Sequence, residues 1–298
     1  MGNNGSSHAS TFSRGQGATS DIRDAMSSLP GSQPKNKTGK KVTAQKIKTA
    51  GATGVLALQE HGLKQVPDDL FLLVNLRMLN MSSNSLHDLS EAISTLKKLK
   101  TLRLDSNHLV ALPDLSTLSA LTDISAGGNR FRGPEAVKGL PLCLTKLVLR
   151  ENKLGEVPLA VTNGLPALQV LDLSANEIQA ITPLSAALPA LAELILDENA
   201  IRSLGEEVSG LPKLKKLSAR SNRIAAVDPF SGQQARKKNK EMLAESPVES
   251  LELAGNLLDK TDFMQMEGVD AFLARREKNK NRNLQGGGML TLSVCGLD

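Results

Sequence analysis

The chain has 298 residues, of which 40% are hydrophobic and 2% aromatic, and its formal net charge is +5. Neither Trp nor Tyr occurs, which argues against single-strand nucleic-acid binding, because such proteins stack bases on aromatic side chains. Two cysteines are too few for a disulfide scaffold, and no apolar run approaches the length of a secretory signal or membrane span, so we expect a reduced, cytoplasmic protein.

Residues 1–43 form the first predicted element, a basic leader that is rich in Gly, Ser, Asn and Thr. Such a composition cannot bury a core and predicts disorder. The leader begins MGNNGSS, which matches the myristoylation pattern and makes Gly2 the candidate lipidation site.

One acyl chain binds a membrane only weakly, so stable anchoring needs a second signal. We expect a lysine cluster, which begins in the leader and continues to residue 48, to supply that signal by contact with an anionic membrane surface. We therefore predict that the protein is peripherally bound at the cytoplasmic face of a membrane. The lysines of this cluster are Lys35, Lys37, Lys40, Lys41, Lys46 and Lys48.

A repeated pattern, Leu-x-x-Leu-x-Leu-x-x-Asn-x-Leu, follows the leader. Its asparagines recur at intervals of 22 to 24 residues, with 34 before the last, and counting back 23 from the first reaches His61. A fixed period in this range is the signature of a leucine-rich repeat solenoid. The asparagines are Asn84, Asn107, Asn129, Asn152, Asn176, Asn199, Asn222 and Asn256.

The residue types within one repeat predict its geometry. Leu171 and Leu173 are two positions apart and point to the same side of a strand, so they fill the interior. Asn176 follows at the bend, where its amide can satisfy backbone groups that have no ladder partner. We therefore predict a structural asparagine ladder and an α/β solenoid, a horseshoe of about nine repeats over residues 44–261, including an N-terminal cap.

The strands of these repeats are expected to form a parallel concave sheet, with short helical or 3-10 turns on the convex side. Charged residues of alternating sign point outward from that sheet, which favours a protein or peptide partner over a polyanion such as nucleic acid. The open alternative is that lateral ion pairs only solubilise the sheet. The predicted partner-binding residues are Arg103, Asp105, Asp123, Lys146, Arg150, Asp172, Glu193, Asp197, Lys216 and Arg220.

Three elements remain at the C-terminal side. Residues 232–244 carry a basic run and are predicted to be a mobile loop inserted on the convex side. Residues 262–283 are predicted to be a capping helix, with Phe272 against the last coil and the basic residues from Arg275 onward in solvent. Residues 284–298 are a tail with no assigned role.

Catalytic and metal sites are not expected. The histidines do not cluster with cysteine or carboxylate at ligand spacing, and the glycine-rich stretches lack the rest of a nucleotide-binding motif. We therefore predict a noncatalytic protein without a metal or other cofactor.

Two stretches flank the repeats: AQKIKTAGATGVLALQEHGLKQVPDDL from Ala44, and LELAGNLLDKTDFMQMEGVDAFLARREKNKNR to Arg282. With the repeats between them, they resemble the leucine-rich repeat-containing protein 57-like family, which implies a short curved solenoid without known catalytic residues. The similarity covers about residues 44 to 282 and the extreme N-terminus. The longer leader, the insertion and Val269, where an aromatic residue is usual, depart from that family.

These observations predict a monomeric, membrane-tethered intracellular adaptor whose concave face binds an unidentified protein or peptide. The alternatives left open are a soluble regulatory subunit or scaffold of a signalling enzyme, and a component of a structural assembly such as a ciliary or cytoskeletal complex. Pelleting with membranes distinguishes the first hypothesis from the other two.

Overall fold

The computed structural model of the chain describes residues 37–181, 184, 186–204, 208, 210–225, 243–244, 246–284 and 295–297. Residues from Val42 onward belong to one compact unit. Its central feature is a nine-stranded parallel sheet in which each strand comes from one repeat. The predicted solenoid of about nine repeats is therefore confirmed.

Every strand of this sheet is three residues long, and neighbours pair in register, as Lys146 does with Val170. In sheet order the strands are β1 (Val55–Ala57), β2 (Met78–Asn80), β3 (Thr101–Arg103), β5 (Asp123–Ser125), β7 (Lys146–Val148), β8 (Val170–Asp172), β9 (Glu193–Ile195), β10 (Lys216–Ser218) and β11 (Ser250–Glu252).

The core consists mainly of leucine. The central residue of each of the nine strands is buried, as Leu147 and Leu171 are, and the leucine two positions later is buried with it in most coils. Because side chains alternate along a strand, the first and third residues of each strand face away from this core. The sheet therefore presents one uninterrupted outer surface.

Short turns connect the strands, as predicted for the convex side. They include the 3-10 helices Asp68–Leu72, Glu91–Thr95 and Pro134–Ala136 and the four-residue helix α2 (Leu159–Thr162). A second parallel sheet, which the sequence did not predict, pairs β4 (Leu112–Asp114) with β6 (Val137–Gly139). Hydrogen bonds from the side chain and backbone of Ser116 hold the pKa of the Asp114 carboxyl below its usual value.

Helix α1 (Lys37–Thr53) covers the first coil and begins before the predicted leader boundary at residue 44. Thr43, Ile47 and Ala50 are buried, and their spacing places them on one face of the helix. The predicted leader was thus too long, because this narrow buried stripe is masked in the sequence by lysines.

Two helices form the C-terminal cap, α3 (Lys260–Met264) and α4 (Val269–Leu284), where the sequence predicted one. Asp259 begins α3 by accepting a hydrogen bond from the backbone N–H of Asp262, at 2.7 Å. Phe263 and Phe272 are fully buried and pack edge to face, with ring centroids 6.4 Å apart. The aromatic pair covers the leucines of the last coil.

Arg275 is not in solvent, contrary to the prediction. Its guanidinium donates hydrogen bonds to the backbone carbonyls of Leu243, Ala244 and Val248, at 2.8 to 3.1 Å, and lies 5.8 Å from the ring centroid of Phe272. Desolvation lowers its pKa from the ordinary value for arginine. The side chain ties α4 to the chain segment that leads into β11.

The end of the predicted inserted loop also belongs to the fold. Leu243 is buried, and it and Ala244 accept hydrogen bonds from Arg275. The preceding part of the insertion, including its basic run, lies outside the described residues. The predicted loop therefore extended at least two residues too far.

Part of the C-terminal tail packs against the last coil. The backbone N–H of Leu253 donates to the carbonyl oxygen of Cys295 at 2.8 Å, just as Ala219 donates to Glu252 one coil earlier. Cys295 is fully buried, and Leu297 packs against the core. The tail, to which the sequence assigned no role, thus covers the backbone that follows β11.

Candidate functional site

The concave face comprises the two outward-pointing residues of each of the nine strands and the residue two positions after each strand, and these residues lie in three columns. The first, middle and last columns lie six, four and two residues before the ladder position of each coil. The middle column reads Ala57, Asn80, Arg103, Ser125, Val148, Asp172, Ile195, Ser218 and Glu252.

The asparagine ladder joins neighbouring coils from inside the solenoid. The side-chain amide of Asn152 donates to the carbonyls of Ala126, Leu149 and Arg150, at 3.0 to 3.1 Å, and its oxygen accepts from the N–H of Phe131 at 3.1 Å. Two of these four partners, Ala126 and Phe131, belong to the preceding coil. Each ladder asparagine therefore joins two coils.

The same arrangement recurs along the chain. Asn84, the first ladder asparagine, accepts from the N–H groups of His61 and Leu63, and Asn256, the last, accepts from the N–H of Ile224. The residue before each ladder position has a positive φ, for example 54° at Glu151. This left-handed residue turns the chain at the end of each strand.

Two of the predicted binding carboxylates are tied to the next coil. Asp105 accepts hydrogen bonds from the hydroxyl of Ser125 at 2.6 Å and from the N–H of Gly127 at 2.9 Å. Asp197 repeats this geometry with the hydroxyl of Ser218 at 2.6 Å and the N–H of Arg220 at 2.8 Å. Both carboxylates therefore stabilise the coil stack.

Two further carboxylates are held within their own coils. Asp172 accepts from the N–H and hydroxyl of Ser174, at 3.0 and 2.6 Å, and Asp123 accepts from the hydroxyl of Thr122 at 2.7 Å. The predicted carboxylates, including Glu193, are all half-buried. They form the floor of the concave face.

The predicted cations are all exposed at the same face: Arg103, Lys146, Arg150, Lys216 and Arg220. Arg220 lies 3.4 Å from a carboxylate oxygen of Glu252 in the next coil, and Arg150 lies 3.7 Å from Glu151 in its own coil. More than half of the side-chain surface of each of the two arginines remains accessible. The cationic groups are therefore more exposed on this face than the carboxylates.

A hollow of about 340 Å³ lies on this face over β9, β10 and β11. Charged residues around it include Glu193, Asp197, Lys216, Arg220 and Glu252. The structure thus brings four of the ten predicted binding residues together around one depression, while the others lie along earlier strands.

One of the lysines predicted to contact a membrane is hydrogen-bonded within the protein. The ammonium of Lys46 donates to the carbonyl of Ala57 at 3.1 Å, so this lysine fastens α1 to β1. Lys41 and Lys48 are exposed. Gly2, Lys35 and the side chains of Lys37 and Lys40 lie outside the described residues.

Sequence reasoning missed the serines that hold the concave carboxylates. Ser125 and Ser218 lie in the middle column one coil after Asp105 and Asp197. An aspartate two residues before one ladder asparagine, followed by a serine four residues before the next, was the available signal. It distinguishes a structural aspartate from one that is free for a partner.

A histidine pair lies near the second and third coils. The rings of His87 and His108 have centroids 5.3 Å apart, and His108 Nδ1 is buried with no hydrogen-bond partner in the described part of the chain. Desolvation, followed by the charges of Arg130 and His87, lowers the pKa of His108. Among the described residues, no group of three His, Cys, Asp or Glu side chains could hold a metal ion.

The helices described by the structure are too short or too polar to cross a membrane.

A family model described as Leucine rich repeat matches residues 54–109 and 143–187. Toll-like receptor 9 of Sus scrofa is 32% identical over 136 residues, which is 39% of this chain and 13% of the receptor. The probable serine/threonine-protein kinase pats1 of Dictyostelium discoideum is 32% identical over 120 residues, 38% of this chain and 4% of that protein. The chain therefore spans only a small part of these curated relatives.

Solved structures agree with the fold. A leucine-rich repeat protein of Leptospira interrogans superposes with a TM-score of 0.56 at 27% identity, covering 66% of this chain and 47% of its own. Internalin C2 of Listeria monocytogenes has a TM-score of 0.55 at 22% identity, with 76% and 89% coverage. FLRT2, in a complex with Latrophilin 3 and Unc5D, has a TM-score of 0.55 at 18% identity, with 72% and 79% coverage.

Proposed function

This chain carries a leucine-rich repeat solenoid, and we propose that it is a noncatalytic adaptor that binds a protein partner on its concave face. Leucine-rich repeat domains generally mediate protein–protein interactions, and the fold is typically a noncatalytic scaffold. The observation that carries the proposal is the uninterrupted outer surface of the nine-stranded sheet, from which five cations protrude.

The binding test compares two charge-reversed variants in pull-downs. The concave variant combines Arg103→Glu, Lys146→Glu and Arg150→Glu, which changes three exposed side chains of that face. Asp197 is left intact because it stabilises the coil stack. The proposal expects loss of partners from this variant.

The matched control combines Arg132→Glu, Lys138→Glu and Lys213→Glu, three exposed residues outside the three columns. It has the same net charge as the concave variant and should retain the partners. Equal capture by both variants would contradict binding on the concave face. Thermal unfolding of both proteins checks that neither change has disturbed the fold.

The second part of the proposal is a reversible tether at the cytoplasmic face of a membrane. It is supported by the sequence MGNNGSS and by the lysines that follow it. Because a single myristoyl chain binds membranes weakly, the exposed Lys41 and Lys48, with Lys35, Lys37 and Lys40, would supply the second signal. The resemblance of the extreme N-terminus to the leucine-rich repeat-containing protein 57-like family also supports the lipidation proposal.

Intact-mass measurement after co-expression with an N-myristoyltransferase tests the tether. We expect a myristoyl mass on the wild type and none on Gly2→Ala. A wild type without that mass would favour the soluble scaffold instead. The binding proposal would be unaffected, because it depends on the solenoid alone.

A further inference from the structure

The exposed cations of the concave face include two identical couples. Lys146 and Arg150 lie in the first and last columns of the β7 coil, and Lys216 and Arg220 lie in the same columns of the β10 coil. Continuous in-register pairing from Lys146 through Val170 and Glu193 to Lys216 aligns them. Three strand spacings separate the couples by about 14 Å.

The floor between the couples is partly apolar. Val148, Val170 and Ile195 point outward from β7, β8 and β9, and all three are half-buried. Asp172, Glu193 and Asp197 also lie between the couples. The carboxylates of Asp172 and Asp197 accept hydrogen bonds from the chain, and Glu193 is half-buried. The surface between the couples can therefore receive an apolar side chain.

The two signs of charge on this face lie at different heights. With Glu252 included, six carboxylates oppose five cations across the three columns, so the face is close to neutral. The carboxylates are half-buried and mostly hydrogen-bonded to the chain, whereas the cations are exposed. A partner approaching the sheet meets ammonium and guanidinium groups first.

From this arrangement we infer that the concave face binds an extended acidic peptide segment, with one acidic residue at each Lys–Arg couple and an apolar residue between them. An extended chain advances about 3.3 Å per residue, so the two acidic residues are about four positions apart. The segment lies across the strands, along the axis of the solenoid. This inference rests on the proposed function and names the chemistry of its partner.

The near-neutral face also predicts how binding depends on salt. Long-range steering requires a surface of one sign, which this face does not have. Charge pairs made at contact are still weakened by salt, although less when they are partly buried. Association should therefore be only modestly slower at high ionic strength, and the loss of affinity should arise mainly from faster dissociation.

The probe is a fluorescein-labelled peptide containing Glu-Ala-Leu-Ala-Glu, titrated with the full chain and followed by fluorescence anisotropy. Replacing both glutamates with glutamine should weaken binding about tenfold or more, which corresponds to about 1.4 kcal/mol. A peptide with the two glutamates adjacent should also bind more weakly, because it reaches only one couple.

Protein variants locate the peptide on the face. Lys146→Gln and Lys216→Gln should each weaken binding severalfold, and the double variant should weaken it further. Lys213→Gln is the matched control, since Lys213 is exposed near β10 but lies outside the three columns. It should leave the affinity unchanged.

Failure of the inference is distinguishable from failure of the proposed function. Absence of binding, equal affinity for the glutamine peptide, or equal loss in the Lys213 control would overturn the acidic-peptide inference. The inference would also be overturned if the protein bound phosphatidylserine vesicles instead of the peptide and lost that binding in the Lys146→Gln and Lys216→Gln variants. The pull-down comparison would remain the test of the concave face as a protein-binding site.

Discussion

The ladder asparagines recur in eight successive coils, whereas the concave carboxylates occur in only some of them, and the two sets of polar side chains use their hydrogen-bonding capacity differently. Asn152 is 7% exposed and makes four hydrogen bonds within the chain. Asp197 is half-buried and makes two, both through one oxygen. Depth within the coil thus separates the buried asparagines, which only stabilise the stack, from carboxylates that also face solvent on the concave face.

The largest expected effect comes from breaking the ladder. Asn152→Ala leaves the N–H of Phe131 without its acceptor and removes three hydrogen bonds to carbonyls, of which two are buried. We expect the free energy of unfolding to fall by about 3 kcal/mol, measured by urea denaturation. Asn152→Asp, which keeps the acceptor but loses the donor, should also be destabilised. A loss below about 0.5 kcal/mol would place the ladder among ordinary surface residues.

A smaller effect is expected when a concave carboxylate is removed. Asp197→Ala leaves the hydroxyl of Ser218 and the N–H of Arg220 to water, which can reach this face. The free energy of unfolding should fall by about 1 kcal/mol. Glu193→Ala, in the same coil, is the control and should change stability by less than about 0.5 kcal/mol. Equal losses in the two variants would remove the distinction between tied and free carboxylates.

The third prediction concerns pH, at the residue that follows ladder residue Asn107. Burial, Arg130 and His87 lower the pKa of His108 below its ordinary value of 6.5. The unfolded chain therefore takes up a proton at higher pH than the folded chain does. As pH falls below 6.5, His108 makes the folded state progressively less stable, until pH passes below the folded pKa.

Urea midpoints measured between pH 8 and pH 5 for the wild type and His108→Gln test this effect. The variant should lose less stability than the wild type over that interval, because carboxylate titrations affect both proteins alike. Parallel pH profiles would show that His108 does not contribute. A steeper loss in the variant would reverse the predicted sign.

The smallest effect is expected at the first ladder position, which His61 occupies. The oxygen of Asn84 accepts from the backbone N–H of His61, so that bond does not need the imidazole. Within the part of the chain that the structure describes, the His61 ring makes one hydrogen bond, to the carbonyl of Gln59 at 2.6 Å. Helix α1 takes the place of a preceding coil. His61→Ala should change stability by less than about 0.5 kcal/mol in the urea assay used for Asn152. A loss matching that of Asn152→Ala would show that the ladder needs a side chain even at its end.

Much of the concave face was predictable because each column is fixed by the distance to a ladder asparagine. Arg103, Lys146 and Lys216 are exposed there, as their positions in the repeat indicate. The structural use of Asp105 and Asp197 was not predicted, because it depends on a serine that arrives 20 or 21 residues later. When each repeat is interpreted by itself, the side chains of neighbouring coils are not compared.

The C-terminal cap also combines features that the sequence predicted with features that it did not. Phe272 was assigned to the last coil from its helical spacing, and it is fully buried there. The burial of Phe263, the three carbonyls bound by Arg275 and the pairing of Cys295 with Leu253 were not predicted. The contacts of Arg275 and of Cys295 join segments that have no common repeat and lie 27 to 42 residues apart in sequence.

The sequence by itself determined the number of coils, the leucine interior and the ladder, because each repeat needs only its neighbours and a fixed period specifies them. Tertiary structure alone decided which charged side chains hydrogen-bond within the coil stack and which remain exposed above it. It also decided which helices and segments cap the solenoid. Those outcomes depend on which side chains meet across coils, as Asp197 meets Ser218 and Arg275 meets Leu243. A periodic pattern fixes backbone positions, whereas pairing between individual side chains depends on residues that the period leaves free.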